Sequence, residues 1–126
     1  MPINISKFLS FILSFIVNIS SNEFTLGAGN YLIKWSCPFY RVNLVLSRLY
    51  DVTNSAVKAY SQAGYGYSSS EGINQINGIA RVTPTGSTAY KIEMKAESDK
   101  SSNGLGLPTN YGTEVYLQVE IYKEVW

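Results

Sequence analysis

The stretch AYKIEMKAES, residues 89–98, alternates at every second position. Tyr90, Ile92, Met94 and Ala96 interleave with Lys91, Glu93, Lys95 and Glu97. A period of two places the apolar set on one side of a pleated strand and the charged set on the other. The same signal recurs in TEVYLQVEIYKEV, where Val115, Leu117, Val119 and Ile121 alternate with Tyr116, Gln118, Glu120 and Tyr122. In GNYLIKWSCPFY, Tyr31, Ile33, Trp35 and Cys37 share one face. VNLVLSRLYDV is a further strand, ending in the turn-forming Thr53-Asn54-Ser55, and AVKAYS (56–61) and INGIARVTP (76–84) are shorter ones.

Between these runs lie segments with turn chemistry: Gly27-Ala28-Gly29-Asn30, Gly64 to Gly72, Thr85-Gly86-Ser87, and Asp99 through Pro108. Short strands separated by turns, with no helical period after residue 22, predict an all-β antiparallel sandwich or jelly roll of about 8–10 strands. Its 126 residues make one domain, 1–126, with enough chain to bury a core unaided.

Composition narrows the chemistry. There is no histidine, and the lone Cys37 excludes an internal disulfide and a cysteine-built zinc site. A serine or cysteine nucleophile would therefore need lysine or a carboxylate as its base. Cys37, between Ser36 and Pro38, reads as a small buried apolar side chain. Glu93, Glu97, Glu114 and Glu120 alternate with apolar residues, as polar sides of strands do. Asp99 with Asn103 is too sparse for calcium, which wants several carboxylates in one loop. Gly27-Ala28-Gly29 precedes a strand and so offers no helix N-terminus to a phosphate. An enzyme is not expected, and no cofactor is implied. With a formal net charge of +1 and scattered basic residues, no nucleic-acid footprint is present.

YSQAGYGYSSSEGINQ (60–75) sets Tyr60, Tyr65 and Tyr67, with Glu71, among glycine and serine. Such a composition suits an adaptable recognition loop, because tyrosine supplies contact area at low entropic cost. A host surface glycan is the candidate ligand; the plainer reading is a flexible exposed loop. Tyr116 and Tyr122 lie opposite the apolar face of the last strand, where aromatics suggest an interface rather than a merely solvated surface.

NEFTLGAGNYLIKWSCPFYRVN, SRLYDVTNSAVKAY, GIARVTPTGSTAYKIE and KSSNGLGLPTNYGTEVYLQVEIYKEV occur in this order between residues 16 and 125. Together they resemble the small jelly-roll domains of bacteriophage virion proteins, which are similar to the trimeric globular heads of the complement and tumour-necrosis-factor superfamily. The resemblance implies a homotrimeric, non-enzymatic structural protein at the virion surface. Such a protein would be either the head of a tail fibre or appendage, or a capsid decoration (cement) protein, and its partners would be other virion proteins. It further implies that Lys91, Glu93, Lys95, Tyr116, Gln118 and Tyr122 belong to one inner sheet and face neighbouring subunits; ordinary solvated surface is the alternative. The chain departs from the family at the apolar run 8–15, where a polar, arginine-containing strand is usual, and in the Tyr/Ser-rich loop.

KFLSFILSFIVNIS (7–20) is too short for a membrane span, which needs ~20 apolar residues. Ser6, Ser10, Ser14 and Asn18 recur at every fourth position, consistent with a helix, yet a strand reading also gives a nearly unbroken apolar face. Residues 16–21 fall on a strand of the resembled domains. Residues 1–15 are expected to form an N-terminal strand or arm. The rival function is a secreted carbohydrate-binding or signalling module with a signal peptide at 1–20, although no small-residue cleavage site follows it.

Overall fold

The computed structural model describes residues 2–3, 16–20, 23–67, 69, 72–97 and 117–124. Ten strands occur among them: β1 (Pro2–Ile3), β2 (Ile16–Ser20), β3 (Glu23–Leu26), β4 (Tyr31–Phe39), β5 (Asn43–Asp51), β6 (Ala56–Tyr60), β7 (Gly64–Gly66), β8 (Asn74–Val82), β9 (Thr88–Ala96) and β10 (Gln118–Lys123). The all-β expectation is met. The front of the apolar run (7–15), the turn at 99–108, Glu71, Glu114, Val115 and Tyr116 lie outside the described residues.

Two antiparallel sheets form. A four-stranded sheet runs β1-β10-β4-β8, and a six-stranded sheet runs β2-β3-β9-β5-β6, with β7 also paired to β5. The pairs are nested: β1 with β10, β3 with β9, β4 with β8, and β5 with β6 and β7. Successive pairs land in alternate sheets, and the contacts β2–β3, β4–β10 and β5–β9 complete the sheets.

Alternation in the sequence becomes layering. Tyr31, Ile33, Trp35, Cys37 and Phe39 of β4 all turn inward and are buried, meeting Val119 and Ile121 of β10 and Ile76, Ala80 and Val82 of β8. From the other sheet come Phe24, Leu26, Val45, Leu49 and Tyr90, with Ile92 and Met94 packed at the margin. Removing each large side chain from water contributes about 1.5–3 kcal/mol, so this shared layer holds the sheets face to face.

One polar knot crosses the core. The Trp35 indole Nε1–H donates to Ser47 Oγ at 2.8 Å. The Ser47 backbone N–H donates to Ser61 Oγ at 3.0 Å, and the Ser61 N–H returns a bond to Ser47 O at 2.8 Å. Every buried polar group needs such a partner, and these bonds span the gap between β6 and β7, carrying the pairing with β5 onward. The expected turn after β5 is present: buried Asp51 accepts from Asn54 N and Nδ2 at 2.9 and 2.8 Å.

One expectation needs correction. Gly64 to Gly72 was expected to be a connector throughout, but Gly64–Gly66 is a strand against Asn43–Val45. Phe39 lies across its inner side: a Cβ on Gly64 or Gly66 would come within 2.9 Å of the Phe39 ring. Glycine is required there because no side chain fits between β7 and that ring. Composition alone suggested a loop because glycine is depleted in strands.

Burial pushes the Cys37 thiol up to about 11, against a partial lowering by its hydrogen bond with Ser47. It pushes the Tyr90 phenol up to about 12, with the nearby Asp51 charge adding to the effect. Both groups bind their protons more tightly folded than unfolded, so their contribution is complete below the unfolded values, 9.0 and 10.0. It is lost as pH rises from about 9 through the folded values. Thermal melts across pH 8–11 should show the midpoint falling steadily above pH 9. Cys37 should ignore a thiol reagent at neutral pH until the protein unfolds, and rapid native labelling would contradict the burial described.

Candidate functional site: the outer face of the six-stranded sheet

β5 is apolar on both sides. Val45, Ser47, Leu49 and Asp51 point inward, so Leu44, Leu46, Arg48 and Tyr50 point out. Its neighbours then set the composition of the outer face row by row. Tyr50 stands between Lys91 of β9 and Val57 of β6, and Arg48 stands between Glu93 and Tyr60. Leu46 is opposite Lys95, and Leu44 is opposite Tyr65 of β7. Gly64 and Gly66 face the core, so the alternation sends Tyr65 and Tyr67 outward together; their rings lie 6.3 Å apart.

At the centre is a charge network. Arg48 Nη2 is 2.7 Å from Glu93 Oε1 and its Nε donates to the same oxygen at 2.8 Å, while Lys91 Nζ is 3.1 Å from Oε2. The Arg48 guanidinium also sits 4.9 Å from the centre of the Tyr50 ring, and Tyr60 stands directly opposite it on β6. The bond from Arg48, helped by Lys91, holds the Glu93 carboxyl below its ordinary range. The bond to Glu93 holds Arg48 above its own. These groups are partly solvated, so water screens the pairs and they add little to stability. The network's consequence is order: the long Arg48 and Lys91 side chains are held against Glu93.

Around this network the face is apolar and open. Leu44 is 55% exposed, Tyr60 58% and Tyr65 53%. A shallow cleft runs between Leu44, Leu46, Tyr60 and Ala63 on one side and Lys95 and Glu97 on the other. A second hollow lies on the four-stranded sheet, bounded by Lys34, Asn77, Ile79, Gln118 and Glu120, and reaches Tyr60 at the sandwich edge.

The residues expected at sites are thus regrouped. Lys91, Glu93 and Lys95 were expected to share an inner sheet with Gln118 and Tyr122. They do not, because β9 and β10 belong to different sheets, and their outward residues lie on opposite faces of the sandwich. Lys91, Glu93 and Lys95 instead join Tyr60, Tyr65 and Tyr67, which the sequence presented as a separate loop. Tyr116 and Glu71 lie outside the described residues. Leu44, Leu46, Arg48 and Tyr50 were missed. The available signal was the run Leu44-Val45-Leu46, apolar on both sides of a strand whose sheet would have one solvated face. Comparison with known proteins found no matching family model and no matching curated relative.

Proposed function

We propose that the protein is a non-enzymatic structural component of a bacteriophage virion surface, a homotrimer of jelly-roll subunits similar to the complement and tumour-necrosis-factor heads. The observation that carries the reading is the nested strand pairing. Strand pairs from β1/β10 to β5/β6 that alternate between the two sheets support a jelly-roll winding. The virion setting rests on the four sequence blocks that resemble phage domains; it covers both an appendage head and a capsid decoration protein.

In this reading the subunits meet through the four-stranded sheet, by the part of the resemblance that concerns the last strand. Gln118 and Tyr122 would lie in the seam, beside Lys34 and Glu120, which are directly paired across β4 and β10. Opposite charges set this close can exchange partners with a neighbouring copy. Glu93 on the other sheet is already engaged by two cations of its own subunit.

Light scattering coupled to size exclusion should give three times the 14.0 kDa subunit mass. Gln118→Arg, which places three like charges near the axis, should convert that mass to monomer without lowering the monomer's own folding cooperativity. A wild-type monomer at micromolar concentration would overturn the trimer. Immunogold labelling of purified virions tests the setting, and its position on capsid or tail separates the two roles. Particles carrying no label would overturn the virion reading.

A further inference from the structure

We infer that the outer face of the six-stranded sheet is a glycan-binding surface for a chain of neutral sugars. The surface is separate from the trimer seam and requires only the folded subunit, since the residues involved lie on one chain and, apart from Tyr60 at the sandwich edge, face away from the four-stranded sheet.

The face matches the chemistry of a pyranose polymer. Each sugar ring has an apolar C–H side and a rim of hydroxyls, so its receptor needs exposed aromatic rings with fixed polar groups beside them. Tyr60 and Tyr65 supply the rings. They pair with Arg48 and Leu44, four residues apart on β5, which sets them roughly 13 Å apart along the strand. That separation suits an extended oligosaccharide rather than one sugar, and Tyr67 beside Tyr65 extends the row.

Polar groups lie beside the Tyr60 ring, in its own row: Arg48 and then Glu93. Arg48 and Glu93 hold each other in place through Glu93 Oε1, and such a fixed guanidinium and carboxylate can donate to and accept from sugar hydroxyls. Lys95 and Glu97 border the same cleft. Arg48, Lys91 and Lys95 oppose Glu93 and Glu97 on this surface, so the charges nearly cancel. Near-neutrality disfavours a polyanion as well as a strongly charged protein, and selects a neutral ligand.

Preorganisation completes the case. Tyr65 rides on a strand seated by glycines under Phe39, and Tyr60 ends β6 directly opposite Arg48 on β5. Rings held on strands lose little freedom on binding, so weak stacking contacts can yield measurable affinity. The shallow, open form of the cleft admits the middle of a long chain.

The test applies fluorescently labelled full-length protein to a glycan array holding neutral hexose oligomers and uronate- or sulfate-bearing ones. Cellohexaose, maltohexaose and laminarihexaose are then titrated into ¹⁵N-labelled protein. Retention of neutral glycans is expected, reduced at least tenfold by Tyr60→Ala or Tyr65→Ala and kept by Tyr65→Phe. The exposed positions should leave the melting temperature unchanged. Any of the three oligomers that binds should shift amides of β5 and β7 and leave those of β10 in place. The inference is overturned by retention of acidic glycans alone, by binding that survives both alanine variants, or by an array signal no higher than that of the double variant. Light scattering on the same samples reports the trimer separately, so either proposal can fail alone.

Discussion

Gly78→Val is expected to cost about 4 kcal/mol, lowering the melting temperature by roughly 10–20 °C. Gly78 pairs directly with Trp35 on the neighbouring strand, and both positions face inward. The indole folds flat over the glycine: a Cβ at position 78 would stand 2.0 Å from Trp35 Cζ2 and 2.1 Å from Cε2. An indole is rigid, and Trp35 is only 2% exposed, so the ring has nowhere to retreat within a packed core. Displacing it would also pull Nε1 from Ser47 Oγ, leaving a buried donor unmet. Urea unfolding of the single variants and the Gly78→Val/Trp35→Leu double variant checks this. The double variant should be markedly more stable than the sum of the two single losses predicts, because the clash exists only when the indole is present. Strict additivity would show that the two residues do not meet.

The second large effect falls at the other end of the core. Phe24→Ala should cost about 3–5 kcal/mol, a substantial share of the ~5–15 kcal/mol typical of a domain. Phe24 is fully buried and stacks on Tyr90, its direct partner on β9, with centroids 5.9 Å apart. β3 has four residues, and only Phe24 and Leu26 anchor it inward. β2 pairs with β3, so its place in the sheet depends on those two side chains. Hydrogen exchange should therefore accelerate first in β2 and β3, while β4 and β8 keep their protection. The truncation also admits water to the Tyr90 phenol. Its titration, followed by ultraviolet absorbance, should drop from about 12 toward the ordinary 10.0. An unchanged Tyr90 titration would mean that Phe24 does not shield it.

Both predictions rest on features that were unequally visible in the chain. The alternation of Tyr31 to Cys37 and of Tyr90 to Ala96 showed which sides of β4 and β9 are buried, and Tyr31, Ile33, Trp35 and Cys37 all lie in the core as that period required. The turns at 27–30 and 53–55 were legible because glycine, asparagine and serine tolerate backbone shapes other residues avoid. Gly64-Tyr65-Gly66-Tyr67 shows the limit. Its period of two was present, yet glycine weakens a strand in isolation, and only the Phe39 ring from a distant part of the chain makes glycine the residue that fits. Gly78 is a similar case, an ordinary strand glycine until Trp35 is seen lying across it.

The candidate site divides along the same line. Alternation determined that Lys91, Glu93 and Lys95 point away from the core, and composition drew attention to Tyr60, Tyr65 and Tyr67. Neither showed that these two sets share a face, or that Gln118 and Tyr122 lie on the opposite one. β5 settles the matter by pairing with β9 on one edge and with β6 and β7 on the other, which brings Glu93, Arg48 and Tyr60 into one row. The sequence by itself determined the fold class, the buried side of most strands and the absence of histidine chemistry, because these depend on residue type and on a period of two within each segment. Only the tertiary structure decided which strands are neighbours and therefore which outward side chains meet. Strand pairing is chosen by how the apolar faces of distant segments bury one another, and no local period encodes that choice.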